Sequence, residues 1–242
     1  MIPLHRTFFG HVAIAVVSAL ISGSAYATII ASDSFSITSN RATGSSVSGS
    51  QTEVGEQTWN GSEQFVVLEN ENNGYLGTKG STSAGIGIPF DLNTHQSKGH
   101  IATLSASIAY RRDNNEGRWF ALGFGPSTLP GGLPSAIYLR VNTYMRTWQL
   151  VSSGNSDLPS GEIADINYTA SAPVTYSLTY DNDSTTVIDV SINGTSVLSN
   201  YKLPNPPREI QSAGFWSQLP YNTPTGIIFD NFELSVSSSP KG

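Results

Sequence analysis

Two acidic pairs stand close enough along the chain to be weighed as a general acid and base: Glu53 with Glu56, and Glu162 with Asp165. Cleaving a glycosidic bond needs two carboxylates held across it in fixed geometry. Glu53 and Glu56 flank Gly55 in what reads as a loop, which fixes none. Glu162 and Asp165 are three residues apart, so on a strand they point to opposite faces. Histidine chemistry is as thin. Beyond residue 27 there are His95 and His100, whose spacing does not make a same-face strand pair. No Gly-x-Ser-x-Gly elbow stands at a strand-to-helix turn; Ser48-Gly49-Ser50 and Ser152-Ser153-Gly154 read as loops. The densest polar run, residues 111–116, reads as a solvated hairpin tip. With no Cys, disulfides, thiolate metal sites and thiol nucleophiles are all excluded.

Recognition asks less than catalysis: aromatic faces and a few polar groups that fix orientation. The chain has four Trp, at positions 59, 119, 148 and 216. In Arg118-Trp119-Phe120-Ala121-Leu122-Gly123-Phe124, the alternating set Phe120, Leu122 and Phe124 belongs to a core. Trp119 and two small residues then line the opposite face, where a large ligand has room. In residues 136–142, Ile137, Leu139 and Val141 point inward, and Tyr138, Arg140 and Asn142 point away. Trp148 and Trp216 flank loops. The candidate ligand-binding set is therefore Trp119, Tyr138, Arg140, Trp148 and Trp216, with Trp59 expected in the core.

The elements that must position these side chains read as strands. Helical periodicity is nearly absent, and short alternating segments recur between Gly, Asn, Asp, Ser and Pro. Val174, Tyr176, Leu178 and Tyr180 alternate, Asp181-Asn182-Asp183-Ser184 turns the chain, and residues 187–192 return with Ile188, Val190 and Ile192 inward. Asn193-Gly194 is a type I′ turn signal into the next strand. A last strand over residues 227–236 puts Phe232, Leu234 and Val236 on one side. Residues 40–50 read as a long early loop, and residues 203–207, with three Pro, cannot pair as a central strand. About twelve strands follow from these boundaries, spaced as in a sandwich or barrel. No repeat and no linker divides them, so residues 28–242 are expected to form one all-β domain.

Residues 1–27 carry a short positive start (His5, Arg6), an apolar run over residues 12–21 and Ala25-Tyr26-Ala27, the pattern of a secretory signal peptide cleaved after Ala27. The apolar run is short of the roughly 20 residues that a membrane span needs. The expected mature chain is secreted or periplasmic, with no membrane span. Of 242 residues 12% are charged, with 12 Lys+Arg against 18 Asp+Glu and a net charge of −6, and no basic run occurs. That balance excludes a nucleic-acid partner.

Three segments together resemble the concanavalin A-like (LamG-like) jelly-roll domains of secreted bacterial proteins. They are Asp33-Ser34-Phe35 with residues 44–49 and 53–59; Tyr176-Ser177-Leu178-Thr179-Tyr180 running to residues 190–195; and Phe229-Asp230-Asn231-Phe232-Glu233-Leu234. The resemblance implies a two-sheet antiparallel jelly-roll β-sandwich, one sheet concave, with termini side by side. It also implies one structural calcium ion between first and last strands, with Asp33 and Asp230 at the matching places. Jelly-roll glucanases of this kind carry Glu-x-Asp-x-x-Glu on one strand face, and the uronate lyases an Arg-x-Glu-x-Arg and a Gln-x-His strand; this chain has neither. The expected function is non-catalytic recognition of an extracellular glycan on the concave sheet. A glycan hydrolase or lyase with an unfamiliar site, and a structural surface protein, are the alternatives.

Overall fold

A computed structural model describes residues 27–70, 73–79, 83–95, 100–110, 119–126, 137–142, 146–163, 174–181, 187–207, 209–217 and 227–238. Fifteen strands stand among them: β1 Thr28–Asp33, β2 Asn60–Gly61, β3 Phe65–Asn70, β4 Asn73–Thr78, β5 Ala84–Pro89, β6 His100–Tyr110, β7 Phe120–Gly125, β8 Ile137–Asn142, β9 Thr147–Ser152, β10 Ser160–Glu162, β11 Val174–Asp181, β12 Val187–Ile192, β13 Thr195–Lys202, β14 Ser212–Ser217 and β15 Ile227–Ser238. The excess over twelve comes from pieces such as β2 and β10, of two and three residues, too short to show alternation. One 3-10 turn, Leu92–His95, accompanies them.

The strands form two antiparallel sheets. One runs β13-β12-β11-β6-β15-β4-β3, with β1 also on β15; the other runs β10-β9-β8-β7-β14-β5-β2. The first and last strands pair directly, Thr28 opposite Val236, so the two ends of the domain lie side by side. The inward sets are those the alternation marks: Phe120, Leu122 and Phe124; Ile137, Leu139 and Val141; Ile188, Val190 and Ile192; and Phe232, Leu234 and Val236 are all buried in one core. Phe120 meets Phe229 edge-on at 5.8 Å across the sandwich, and Phe215 lies 4.7 Å from Phe229. Asn193 and Gly194 both take positive φ, 50° and 74°, as the type I′ turn between β12 and β13 requires.

β15 solves a spacing problem. Phe229 and Phe232 are both buried although three residues apart, an odd spacing that a regular strand sends to opposite faces. The register slips between Asp230 and Glu233, and Asn231 takes φ 50°. This bulge turns both rings inward. Asp230 accepts the Asn231 N–H at 2.7 Å and so supports the left-handed residue.

The loop between β1 and β2 is strapped to the sheet edge. Val47 N–H donates to Phe65 O and Val67 N–H to Ser45 O, which covers the open side of β3. Its anchor is a buried ion pair, Arg41 with Asp33, at 2.6 Å.

Candidate functional site

The outer face of the seven-stranded sheet collects the chemistry. On β7 the residues opposite the core set are Ala121 and Gly123; on β14 they are Gly214 and Trp216; on β8, Tyr138 and Arg140. Strand register lays them out in two rows. Arg140, Ala121, Trp216 and Gly85 are successive cross-strand partners in one. Tyr138, Gly123, Gly214, Gly87 and Asn60 are partners in the other. The second row carries a side chain at each end and none between, a backbone strip of four strand spacings, about 19 Å. A Cβ on Gly123 would fall on the Tyr138 Cβ and the Ile137 carbonyl, and one on Gly214 on the Ile86 carbonyl. Only glycine lets the strands run this close.

Against this strip stands an aromatic wall. Trp119, immediately before β7, stacks on Trp216 with centroids 4.0 Å apart and lies near-parallel to Tyr138 at 6.4 Å. The Arg140 guanidinium carbon sits 4.2 Å from the centre of the Trp119 ring. Trp119, Ala121 and Trp216 form an apolar cluster separate from the core, with Tyr138 packed on it. Trp119 is therefore not the open platform that alternation alone predicts: it is only 9% exposed and Trp216 only 6%. The reason is lateral. Large rings on neighbouring strands, with Ala121 as a small neighbour, gain more by covering one another than by standing in water, and such pairs add about 0.5–1.5 kcal/mol beyond the area they bury. Tyr138 and Arg140 remain half-buried and reachable. Burial pushes the Tyr138 phenol above its usual range, with Arg140 partly opposing. Burial also lowers Arg140, with Tyr138 partly opposing.

Trp148 does not join them. It is 5% exposed within the main core, its indole against Gly161, where a Cβ would come within 2.9 Å of Nε1. In β9 it shares the inward face with Leu150, a placement that its nearness to a loop in sequence conceals. Trp59 is also in the core, ringed by Phe35, Phe215 and Phe232.

Asp33 and Asp230 do not make the expected calcium site. Calcium needs free oxygen ligands. Both Asp33 oxygens are spent: Oδ1 accepts from Arg41 Nη1 at 2.6 Å and Phe35 N at 2.8 Å, Oδ2 from Arg41 Nη2 and Trp59 Nε1, each at 2.7 Å. A guanidinium already neutralises the carboxylate where a cation would sit, so the residues do not fit the ion. Among the described residues no group of three His, Cys, Asp or Glu is placed to hold a metal. Asp230 serves the β15 bulge. Burial raises its carboxyl, the Asn231 N–H lowers it, and Glu53 and Asp33 raise it further. A raised carboxyl favours the fold at low pH and loses that contribution as pH rises through the raised value. Asp230→Asn, which can still accept from Asn231, should therefore raise the melting temperature at neutral pH, with the gain vanishing below the ordinary carboxylate range. A parallel series of thermal melts in calcium and in chelator checks this; a calcium-dependent loss in the variant would restore the metal reading.

Of the two acidic pairs, only Glu53 with Glu56 lies wholly among the described residues, and Glu53 is tied into the loop. Glu53 accepts from Ser34 Oγ at 2.7 Å, Ser34 N at 3.1 Å and Ser36 N at 2.9 Å. Burial pushes its carboxyl up, but these bonds outweigh it and hold the carboxyl below its usual range. A carboxylate kept ionised supplies no proton at neutral pH. Asp165 and the run 111–116 lie outside the described residues, as do residues 1–26. Sequence reading missed an open polar cavity of about 640 Å³ in the β1–β2 loop, lined by Asn40, Arg41, Ser48 and Glu53 among others. The Ser and Thr density of residues 34–58 was its one signal. Its two charged groups are already committed, Arg41 to Asp33, Ser50 Oγ and Gln51 O, and Glu53 to Ser34 and Ser36, which leaves hydroxyls and amides facing the space.

No family model matches the chain, and no curated protein does. Solved structures match in fold. The carbohydrate recognition domain of Emp47p aligns with a TM-score of 0.50 at 14% identity, covering 86% of this chain and 99% of that one. A Bacillus subtilis protein of unknown function, described as having a galectin-like fold, aligns at 0.55 and 13%, covering 88% and 97%. Trypanosoma rangeli sialidase aligns at 0.51 and 15%, covering 88% of this chain but 31% of that one. At such identities the likeness speaks for the backbone arrangement alone. The chain has the two-sheet antiparallel, concanavalin A-like jelly-roll fold.

Proposed function

We propose that this chain is an exported, non-catalytic glycan-recognition module that takes its ligand on the outer face of the seven-stranded sheet. One observation carries the reading: Trp119, Trp216, Tyr138 and Arg140, from three neighbouring strands, converge beside a strip of backbone bare of side chains. A sugar ring offers an apolar C–H face and a rim of hydroxyls. The strip admits the ring close to the sheet, Tyr138 supplies partial aromatic surface and a hydroxyl, and Arg140 supplies donors. The buried Trp pair acts as a rigid backing that holds both in place. The similar fold of a domain named for carbohydrate recognition supports the reading. The leader pattern over residues 1–27 supports export, and β1 starting at Thr28 is compatible with cleavage after Ala27.

Protein recovered outside the producing cell should begin at Thr28. That mature form should be retained by a polysaccharide from a broad insoluble panel, without release of reducing ends. Tyr138→Ala, at a half-buried position, should keep the fold by circular dichroism and weaken retention about tenfold, the scale of an interface aromatic. Release of sugar ends would make the protein an enzyme, and retention by no polysaccharide would overturn the reading.

A further inference from the structure

We infer that the glycan this face takes is anionic, and that Arg140 reads its carboxylate or sulfate group; the inference rests on the recognition reading above and narrows it. Arg140 is half-buried, held over the Trp119 ring at 4.2 Å. Its neighbours on the same face, Tyr138 and Asn142 along β8, Ala121 and Gln149 across, and Thr147 and Val151 on the β9 diagonals, include no acidic residue. Glu162 is the one carboxylate at an outward position of the described strands of this sheet. It sits on β10, opposite Thr147, two strands from β8 and so about 10 Å away at the backbone. No carboxylate among the described residues pairs with Arg140, whereas Arg41 on the other sheet's flank has a bidentate partner.

A cation half out of water without a counter-charge is costly unless something supplies one. Trp119 supplies part through its ring face, which also fixes the guanidinium plane. That leaves the edge of the fork, the part that matches two oxygens of a carboxylate or sulfate, available to a ligand. Tyr138, one row along, is a neutral phenol with its pKa pushed up, so it donates a hydrogen bond to the same anion and does not repel it. The chain as a whole carries −6, which repels a polyanion. Attraction must then come from this local site, and the preference should persist at moderate salt, where diffuse attraction is screened.

The test pairs polymers that share a backbone and differ in charge: polygalacturonate against its fully methyl-esterified form, and dextran sulfate against dextran. The mature wild-type protein should bind one or both charged members at least tenfold more tightly than the neutral partner at physiological ionic strength. The member that wins distinguishes carboxylate from sulfate. Arg140→Gln should remove that preference, weakening charged-polymer binding about 10- to 100-fold, the scale of a charged hydrogen bond. Arg140→Lys, which keeps charge but not the fork, should recover it only in part. Equal wild-type affinity for charged and neutral members overturns the inference and leaves the recognition reading standing, and it does so whether or not the variants fold. A charge preference unchanged in folded Arg140→Gln overturns it as well. Binding to no polymer of any kind removes the recognition reading and the inference together.

Discussion

Asp33→Ala should cost the fold about 3–5 kcal/mol, the range for removing one partner of a buried ion pair. Asp33 is 1% exposed and Arg41 4%. The substitution leaves the guanidinium with Gln51 O and Ser50 Oγ as its remaining acceptors and no opposing charge. It also strips the acceptor from Trp59 Nε1 and from the Phe35 N–H. Those two residues open the aromatic core: Phe35 takes φ 53°, a conformation that its N–H bond to Asp33 helps to hold, and Trp59 packs on Phe35, Phe215 and Phe232. For a domain whose stability is about 5–15 kcal/mol, the loss is a large share of the whole. Urea unfolding of wild type and variant measures it. The double replacement Asp33→Leu with Arg41→Met should be markedly less destabilised than Asp33→Ala alone, because it removes the orphaned charge. A loss under 1 kcal/mol for Asp33→Ala would mean that water reaches the pair. It would also reopen the carboxylate to a metal.

Trp216→Ala should act on fold and function together. Removing a buried indole costs about 3–5 kcal/mol in a core. The cluster of Trp119, Ala121 and Trp216 lies outside the main core, so the lower end, about 3 kcal/mol, is expected. Trp119 loses the partner stacked at 4.0 Å and regains freedom to turn. Arg140, whose plane is set by the Trp119 ring, loses its fixed orientation. Glycan binding should then fall more than tenfold in protein that is still folded under the assay conditions, although Trp216 itself offers a ligand almost no surface. Denaturant unfolding and polysaccharide depletion on the same preparation separate the two effects. Lost stability with unchanged binding would reduce the cluster to a packing satellite and move the ligand elsewhere on the sheet.

How much of this was legible beforehand depends on the range of the interaction. The inward sets of β7, β8, β12 and β15 could be read directly, because strand geometry alternates with a period of two and each set needs no knowledge of its partner strand. Asn193-Gly194 could be read for the same reason, since the left-handed backbone it allows is local. Phe229-Asp230-Asn231-Phe232 carried a local signal too: two aromatics at odd spacing with Asp-Asn between them mark a bulge. The candidate site was half legible. Alternation assigned Trp119, Tyr138 and Arg140 to the outer face, and register brought them beside Trp216. What alternation could not supply was the company each side chain keeps. Trp148 looked like a loop-edge aromatic and is a core residue on β9. Asp33 looked like a metal ligand and holds Arg41, eight residues on, with Trp59, twenty-six residues on.

The residue pattern by itself determined the all-β class, the faces of the long strands, the tight turns and the lack of a recognisable acid-base motif, because each is written in spacings of a few residues. The tertiary structure alone decided that β7, β8 and β14 are neighbours. It thereby decided that Trp119 is covered rather than open, that glycines from three strands line up into one strip, and that Arg140 stands beside an aromatic wall with no carboxylate at hand among the described residues. Those outcomes depend on lateral strand order and register, which are settled by the packing of the whole sandwich and leave no mark at short range in the chain.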